Sequence, residues 1–222
     1  MPTIAIVGAG PGLGLSIAKL FGGHGFQVAL ISRSATRLAA LVADLGAAGI
    51  TAAAFPADAA DTAALSTALH RAAAQLGGID VLEFSPFPGL TMIHPGDVTV
   101  DDLRPDVERL LYGAVTATQA VLPGMLRAGA GTLLFTTGGG AIDPLPMLAA
   151  LNAAQAGMRN YAHNLHHTLA GRGIYAAVVA INVFIGDNPP APGIPHAAAD
   201  DIARTYWDLY TRRTAAEHVI NG

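Results

Sequence analysis

Four glycines crowd the segment Ile4-Ala-Ile-Val-Gly8-Ala-Gly10-Pro-Gly12-Leu-Gly14-Leu-Ser16, between an apolar run and an alanine-rich one. Glycine tolerates the positive φ of a tight turn and lets a backbone approach a bulky anion, while a helix opening behind the turn presents free N–H groups and a positive dipole end. In that context the chemistry is the holding of a dinucleotide pyrophosphate, with Gly8, Gly10, Pro11, Gly12, Leu13 and Gly14 as candidate contacts. Two spacings fit, Gly8-x-Gly10-x-x-x-Gly14 and Gly8-x-x-x-Gly12-x-Gly14. A second apolar run ends in Ser32-Arg33-Ser34, where a strand tip lies beside an adenine ribose. An acidic side chain there would accept from a free 2′-hydroxyl. None is present, and the Arg33 guanidinium suits a phosphate dianion, so NADP(H) is expected in preference to NAD(H). The plainer reading of Arg33 is a solvated cation at a strand end.

Other polar residues carry weaker signals. Thr136 and Thr137 end a strand and could orient a substrate oxygen; Asn152 and Asn182 are further polar candidates near the reactive end, and Thr137 and Asn152 are the two kept as catalytic candidates. His163, His166 and His167 fall at i, i+3 and i+4 of a helical run, but without a neighbouring carboxylate they read as a polar helix face, and no metal is expected. Tyr161 reads as packing. No Gly-x-Ser-x-Gly elbow occurs, so hydrolase chemistry of that type is excluded.

The elements that must position these residues alternate. Strands are predicted at about 3–7, 27–31, 51–55, 79–84, 131–136 and 174–181, with helices at about 12–24, 35–48, 62–76, 105–127, 147–171 and 199–213. β-branched runs alternating with longer helical ones imply parallel strands joined by right-handed crossovers, hence one α/β domain over 1–222, a Rossmann-type doubly wound sheet in three layers. The proline-rich segment Asp187–Pro195 can continue neither strand nor helix. It is read as the one long irregular loop, and 186–198 as a substrate-side cover or a plain surface connection.

Composition narrows the classes. With 52% hydrophobic residues, 13% charged ones and a net charge of −4, the chain is neither disordered nor built for a polyanion, so nucleic acid is not an expected partner. There is no cysteine for a disulfide, thiolate metal site or thiol nucleophile. The N-terminal apolar run lacks a basic flank and is broken by glycines, and no segment has membrane-spanning length, so a soluble cytoplasmic protein is expected.

The glycine turn in its second spacing, together with Phe55-Pro-Ala-Asp58-Ala59, Gly78-Ile-Asp80-Val-Leu, Tyr112 to Met125 and Gly131-Thr-Leu-Leu-Phe-Thr-Thr137-Gly138, resembles the short-chain dehydrogenase/reductase family over nearly the whole chain. The resemblance implies that Asp58 accepts from the adenine amino group and that the Ala59 backbone lines the base; Asp58 could equally cap the helix beginning near Thr62. It also implies that Ser85 and Pro86, in Phe84-Ser-Pro-Phe87 where the family has Asn-Asn-Ala-Gly, border the cofactor. The family's serine, tyrosine, lysine and relay asparagine fall at Gly138, Leu151, Gln155 and Leu110. No realignment restores them, because Lys19 is the single lysine, no tyrosine precedes it, and serines stop at Ser85.

Two classes of function follow. One is an NADP(H)-dependent oxidoreductase of atypical chemistry, acting on an apolar substrate in a pocket of Phe84, Phe87, Leu151 and residues 186–195. The other is a non-catalytic NADP(H)-binding sensor or partner module. The helices at 105–127 and 147–171 carry more apolar residues than one sheet-facing stripe requires, so a homodimer or homotetramer through them is expected.

Overall fold

The computed structural model of the chain describes residues 1–87 and 89–221; Gly222, the last residue of the expected domain, lies outside them. The six anticipated strands form as β1 (Thr3–Val7), β2 (Gln27–Ile31), β3 (Ala52–Ala54), β4 (Val81–Phe84), β5 (Gly131–Gly138) and β6 (Ile174–Ile181). A short pair, β7 (Phe184–Ile185) and β8 (His196–Ala197), follows, and β9 (Glu217–Ile220) comes last. The main sheet runs β3-β2-β1-β4-β5-β6-β9 with every pairing parallel. The fold is thus the doubly wound α/β sheet that the alternation implied.

Helices α1 (Leu13–Gly23), α2 (Ala35–Ala47), α3 (Thr62–Leu76), α4 (Val100–Asp106), α5 (Gly113–Ala128), α6 (Ala149–Leu169) and α7 (Ala199–Arg212) cover the two faces. Strand alternation sorts the core into two layers. Val7, Phe84, Phe135 and Val178 meet α3, α5 and α6, whereas Ile6, Val81, Leu134 and Val179 meet α1, α2 and α7. On the second face Phe21, Phe26, Trp207 and Tyr210 pack edge to face, and His24 stacks on Trp207 at 3.8 Å, pinning the end of α1 to α7.

Four expectations need correction. The sheet has a seventh strand: Glu217-His-Val-Ile is short and half polar, yet β6 offers it a partner edge, and Arg159 of α6 grips Glu217 with two charge-assisted bonds of 2.5 and 2.6 Å. The helix expected at 105–127 begins at Val100, where Thr99 and Asp102 form a reciprocal cap, and passes through a π-helical stretch at Val107–Tyr112 before α5. Asp61, whose side chain accepts from Ala64 N at 2.9 Å, caps α3 in place of Asp58. The proline-rich loop is also not alone, since 85–92 and 142–148 contain neither helix nor strand among the described residues.

Candidate active site

The strand order diverges between β1 and β4, and at the carboxyl ends of these strands lies a cleft of about 630 Å³. Gly8, Gly10 and Pro11 line it from the glycine turn, and Ser32, Arg33 and Ser34 from the end of β2. Asp58 and Ala59 enter from the segment after β3, Pro86 and the exposed Phe87 from that after β4. Gly12, Leu13 and Gly14 carry the turn into α1 and, like Ser85, are not among the residues that line the cleft.

The turn is shaped by what its glycines exclude. Gly8 has φ 97°, and a Cβ there would lie 2.6 Å from the Ser85 and Pro86 backbone, so β4 and β1 close on each other only because the side chain is absent. Gly14 packs on Ala9 in the same way, at 3.2 Å. A Cβ on Gly12 would meet nothing within 4 Å, and one on Gly10 only the Gly8 carbonyl at 3.9 Å. Both spacings therefore share their structural glycines, Gly8 and Gly14, while Gly10 leaves bare backbone in the cleft wall. At the start of α1, Leu15 N donates to the Gly10 carbonyl at 3.0 Å and Ser16 N to the Gly12 carbonyl at 3.1 Å, so the Leu13 and Gly14 N–H groups are the ones left for an anion.

At the adenosine end Ser34 caps α2, its hydroxyl accepting from Arg37 N at 3.3 Å, and Arg37 joins Arg33 in the cleft wall. The sequence reading missed Arg37, although it stands one helical turn beyond Arg33. It also missed Arg109, which the π-helical stretch delivers to the same wall, 3.8 Å from the Asp58 carboxylate. Asp58 further accepts from Ala60 N at 3.0 Å. Three guanidiniums against one carboxylate make this a cationic pocket, and the bare turn beside it fits the diphosphate and adenosine of a nicotinamide dinucleotide.

The reactive end is built differently. Leu110 and Leu151 are buried in one small apolar cluster with Ala154, flanked by Val107 and Leu148. The tip of β5 is bare glycine with amides pressed against it: a Cβ on Gly138 would lie 3.2 Å from the Gln155 side-chain oxygen, and Cβ atoms on Gly139 and Gly140 would collide with the Asn182 and Asn152 amides. Asn152 is buried and donates to the Leu145 carbonyl at 2.8 Å. Thr137 is buried too, its hydroxyl without a hydrogen-bond partner among the described residues. Thr136 points to the opposite face, donating to Glu83 at 2.8 Å with the Tyr206 hydroxyl 2.6 Å away.

The expected apolar pocket is therefore not assembled as drawn. Phe84 lies wholly within the core beneath α5, and Leu151 is held in a separate cluster with Leu110 and Ala154. Exposed apolar side chains come instead from the irregular segments and the short strand β7: Phe87, Leu90 and Met92, then Leu145, Phe184 and Ile194. The loop at 186–198 is closed at its base by backbone bonds from Phe184 N to Pro195 O and from Gly186 N to Ala197 O, each 2.9 Å. His163 faces Glu217 at 3.6 Å whereas His166 meets the Ala176 carbonyl at 2.7 Å, so these two imidazoles serve different neighbours. Tyr161 packs edge to face on Phe135. No described helix is long and apolar enough to cross a membrane.

Comparison with known proteins agrees with this geometry. The profile of the family described as short chain dehydrogenase matches residues 2–186. The chain is 27% identical over 195 residues to 2-dehydro-3-deoxy-L-rhamnonate dehydrogenase (NAD(+)) of Sphingomonas sp. (strain SKA58), covering 88% of this chain and 76% of that protein. It is 25% identical over 221 residues to inactive hydroxysteroid dehydrogenase-like protein 1 of Rattus norvegicus, covering 97% of this chain and 64% of that one. The L-sorbose reductase of Gluconobacter frateurii, solved with NADPH and L-sorbose, superposes with a TM-score of 0.89 at 17% identity, covering 100% of this chain and 95% of that one.

Proposed function

Because the chain belongs to the short-chain dehydrogenase family, we propose that it binds NADP(H) in preference to NAD(H) and is an oxidoreductase whose chemistry does not rely on a tyrosine acid. The observation that carries the cofactor preference is the pairing of Arg33 and Arg37 around the Ser34-capped start of α2, with no carboxylate from the end of β2 in the cleft wall. Two guanidiniums and a helix N-terminus favour a 2′-phosphate dianion. The L-sorbose reductase was solved with NADPH, whereas the rhamnonate relative is named for NAD(+), so the side chains of this chain carry the preference here.

A bound nicotinamide would supply or accept a hydride. This chain offers no tyrosine, lysine or serine at the positions matching the family's proton machinery, which read Leu151, Gln155 and Gly138, while Leu110 replaces the relay asparagine. Leu110 and Leu151 against one another leave an apolar contact where a proton donor and its relay would stand. Such a site suits acceptors that need no acid in the hydride step, an already cationic imine or a conjugated alkene protonated later by water. The glycine backbone fixes the cofactor, and the apolar side chains at 87–92 and 184–194 exclude water from an apolar substrate.

That same apolar contact favours a second reading, a non-catalytic NADP(H)-binding module. One set of measurements separates the readings. In calorimetry NADPH binds more tightly than NADH, and Arg33→Ala weakens NADPH about 10- to 100-fold with little change for NADH. Equal affinity for the two cofactors would defeat the preference. Substrate-dependent loss of NADPH absorbance with imines or enones supports the enzyme; tight binding without turnover across ketones, imines and enones supports the module. We place a homodimer or homotetramer contact on α5 and α6, where the exposed Ala153, Ala156 and Asn160 of α6 let a second copy approach closely.

A further inference from the structure

Central parallel strands are covered on both faces and ordinarily carry apolar residues throughout. β4 breaks this rule with Glu83, which is fully buried between β1 and β5. Its carboxyl is held by hydroxyls: Thr136 donates to one oxygen at 2.8 Å, and Ser85 to the other at 2.9 Å. Behind Thr136 stands the buried Tyr206 hydroxyl of α7, at 2.6 Å. These three groups, from β5, the segment after β4 and α7, face the carboxyl, and no cation among the described residues stands beside it. Burial therefore outweighs the two hydrogen bonds and pushes the carboxyl up to about 7.

This cluster adjoins the glycine turn. Ser85 N donates to the Val7 carbonyl at 2.8 Å, and the backbone of Ser85 and Pro86 fills the space that a side chain on Gly8 would occupy. Ile6, the register partner of Glu83, reaches α1 at Gly14, 3.7 Å from where a Cβ would stand. The carboxyl thus lies in the layer beneath the first turn of α1. An ionised Glu83 and a dinucleotide pyrophosphate would draw on one helix N-terminus across a dry interior, so each disfavours the other. The hydrogen bonds carry the same message. A carboxylate captures the Ser85 hydroxyl proton, whereas a neutral carboxyl can donate to Ser85 Oγ and free that hydroxyl to donate elsewhere.

We propose that Glu83 couples dinucleotide binding to uptake of a proton, so that an anionic cofactor on the glycine turn is held most tightly when this carboxyl is neutral. The coupling rests on the reading of the cleft as a dinucleotide site, and makes cofactor occupancy responsive to pH in the neutral range.

Calorimetry of the full chain with NADH and with NADPH, in buffers of different ionisation enthalpy from pH 6 to 8.5, counts the protons. NADH has no 2′-phosphate to titrate, so its count belongs to the protein. The expected result is uptake of part of a proton, largest near neutrality, with affinity falling about three- to tenfold from the acid to the alkaline end. Glu83→Gln keeps the size of the side chain and should abolish both. Thr136→Val removes a donor that steadies the charged form, and should move the uptake maximum to higher pH, which keeps the test decisive if the glutamine variant does not fold. Identical proton counts in wild type and Glu83→Gln, or an unmoved maximum in Thr136→Val, would overturn the coupling while leaving the dinucleotide site intact. Failure of both cofactors to bind wild type would overturn the site, and the coupling with it.

Discussion

Single side chains in this protein do opposite electrostatic work in the cleft wall and in the core of the sheet. Arg33, Arg37 and Arg109 crowd cations around a cleft, while Glu83 is a carboxyl with no cation beside it. The second arrangement has a consequence for stability that needs no ligand. In the unfolded chain Glu83 titrates near its ordinary value of 4.5, but burial raises it to about 7 in the folded chain. Between these values the folded state holds a proton that the unfolded state has released, so stability falls as pH rises across that window and levels off above it. The loss approaches about 1.4 kcal/mol per pH unit, on the order of 3 kcal/mol in all. Glu217 works in the other direction: the Arg159 hydrogen bonds hold its carboxyl down, and that contribution is lost only as pH falls into the acid range. Urea denaturation at pH 5, 6, 7 and 8 should show wild type weakening from pH 5 to 7 and then levelling off, where Glu83→Gln does not weaken. Parallel trends for the two proteins would contradict the assignment.

Turns, strands and helices differ in how openly they declare themselves. The glycine turn is the plainest: at Gly8 the backbone is strained for any other residue and pressed by Ser85 and Pro86, whereas at Gly10 it stands open. Gly8→Ala should therefore cost about 2–4 kcal/mol of folding stability, while Gly10→Ala should fold normally and lose dinucleotide affinity, a contrast that paired melting and calorimetry would reveal. Equal stability losses in the two variants would mean that the turn has been misread. The first six strands and most of the helices were legible because apolar period and glycine stops are local signals. What escaped notice depended on distant partners. β9 is four residues, two of them polar, and exists because β6 and Arg159 receive it. Arg109 reaches the cleft through a π-helical turn that no residue spacing announces. Glu83 was the one visible clue left unused, a charge inside an otherwise apolar strand; Tyr206, 123 positions further along, could not be tied to it before the chain folded. Thr136 and Thr137 looked interchangeable in sequence, but the strand pleat sends one to Glu83 and leaves the other beneath α6.

At the scale of the molecule, both layers of helices bury the sheet, and the outward stripe of α6 is left with small residues such as Ala153 and Ala156. Sedimentation at micromolar concentration should find a dimer or tetramer, and Ala153→Arg should shift it toward monomer; a wild-type protein that sediments only as monomer would remove the contact from consideration. The opposite side holds a different opportunity. Trp207, the single tryptophan of the chain, lies flat on His24 where α1 ends, and α1 begins at the glycine turn. Its indole emission is therefore a native optical gauge of that helix, sensitive to whether the two rings stay stacked, so that events at the turn can be followed in the unlabelled protein by light alone.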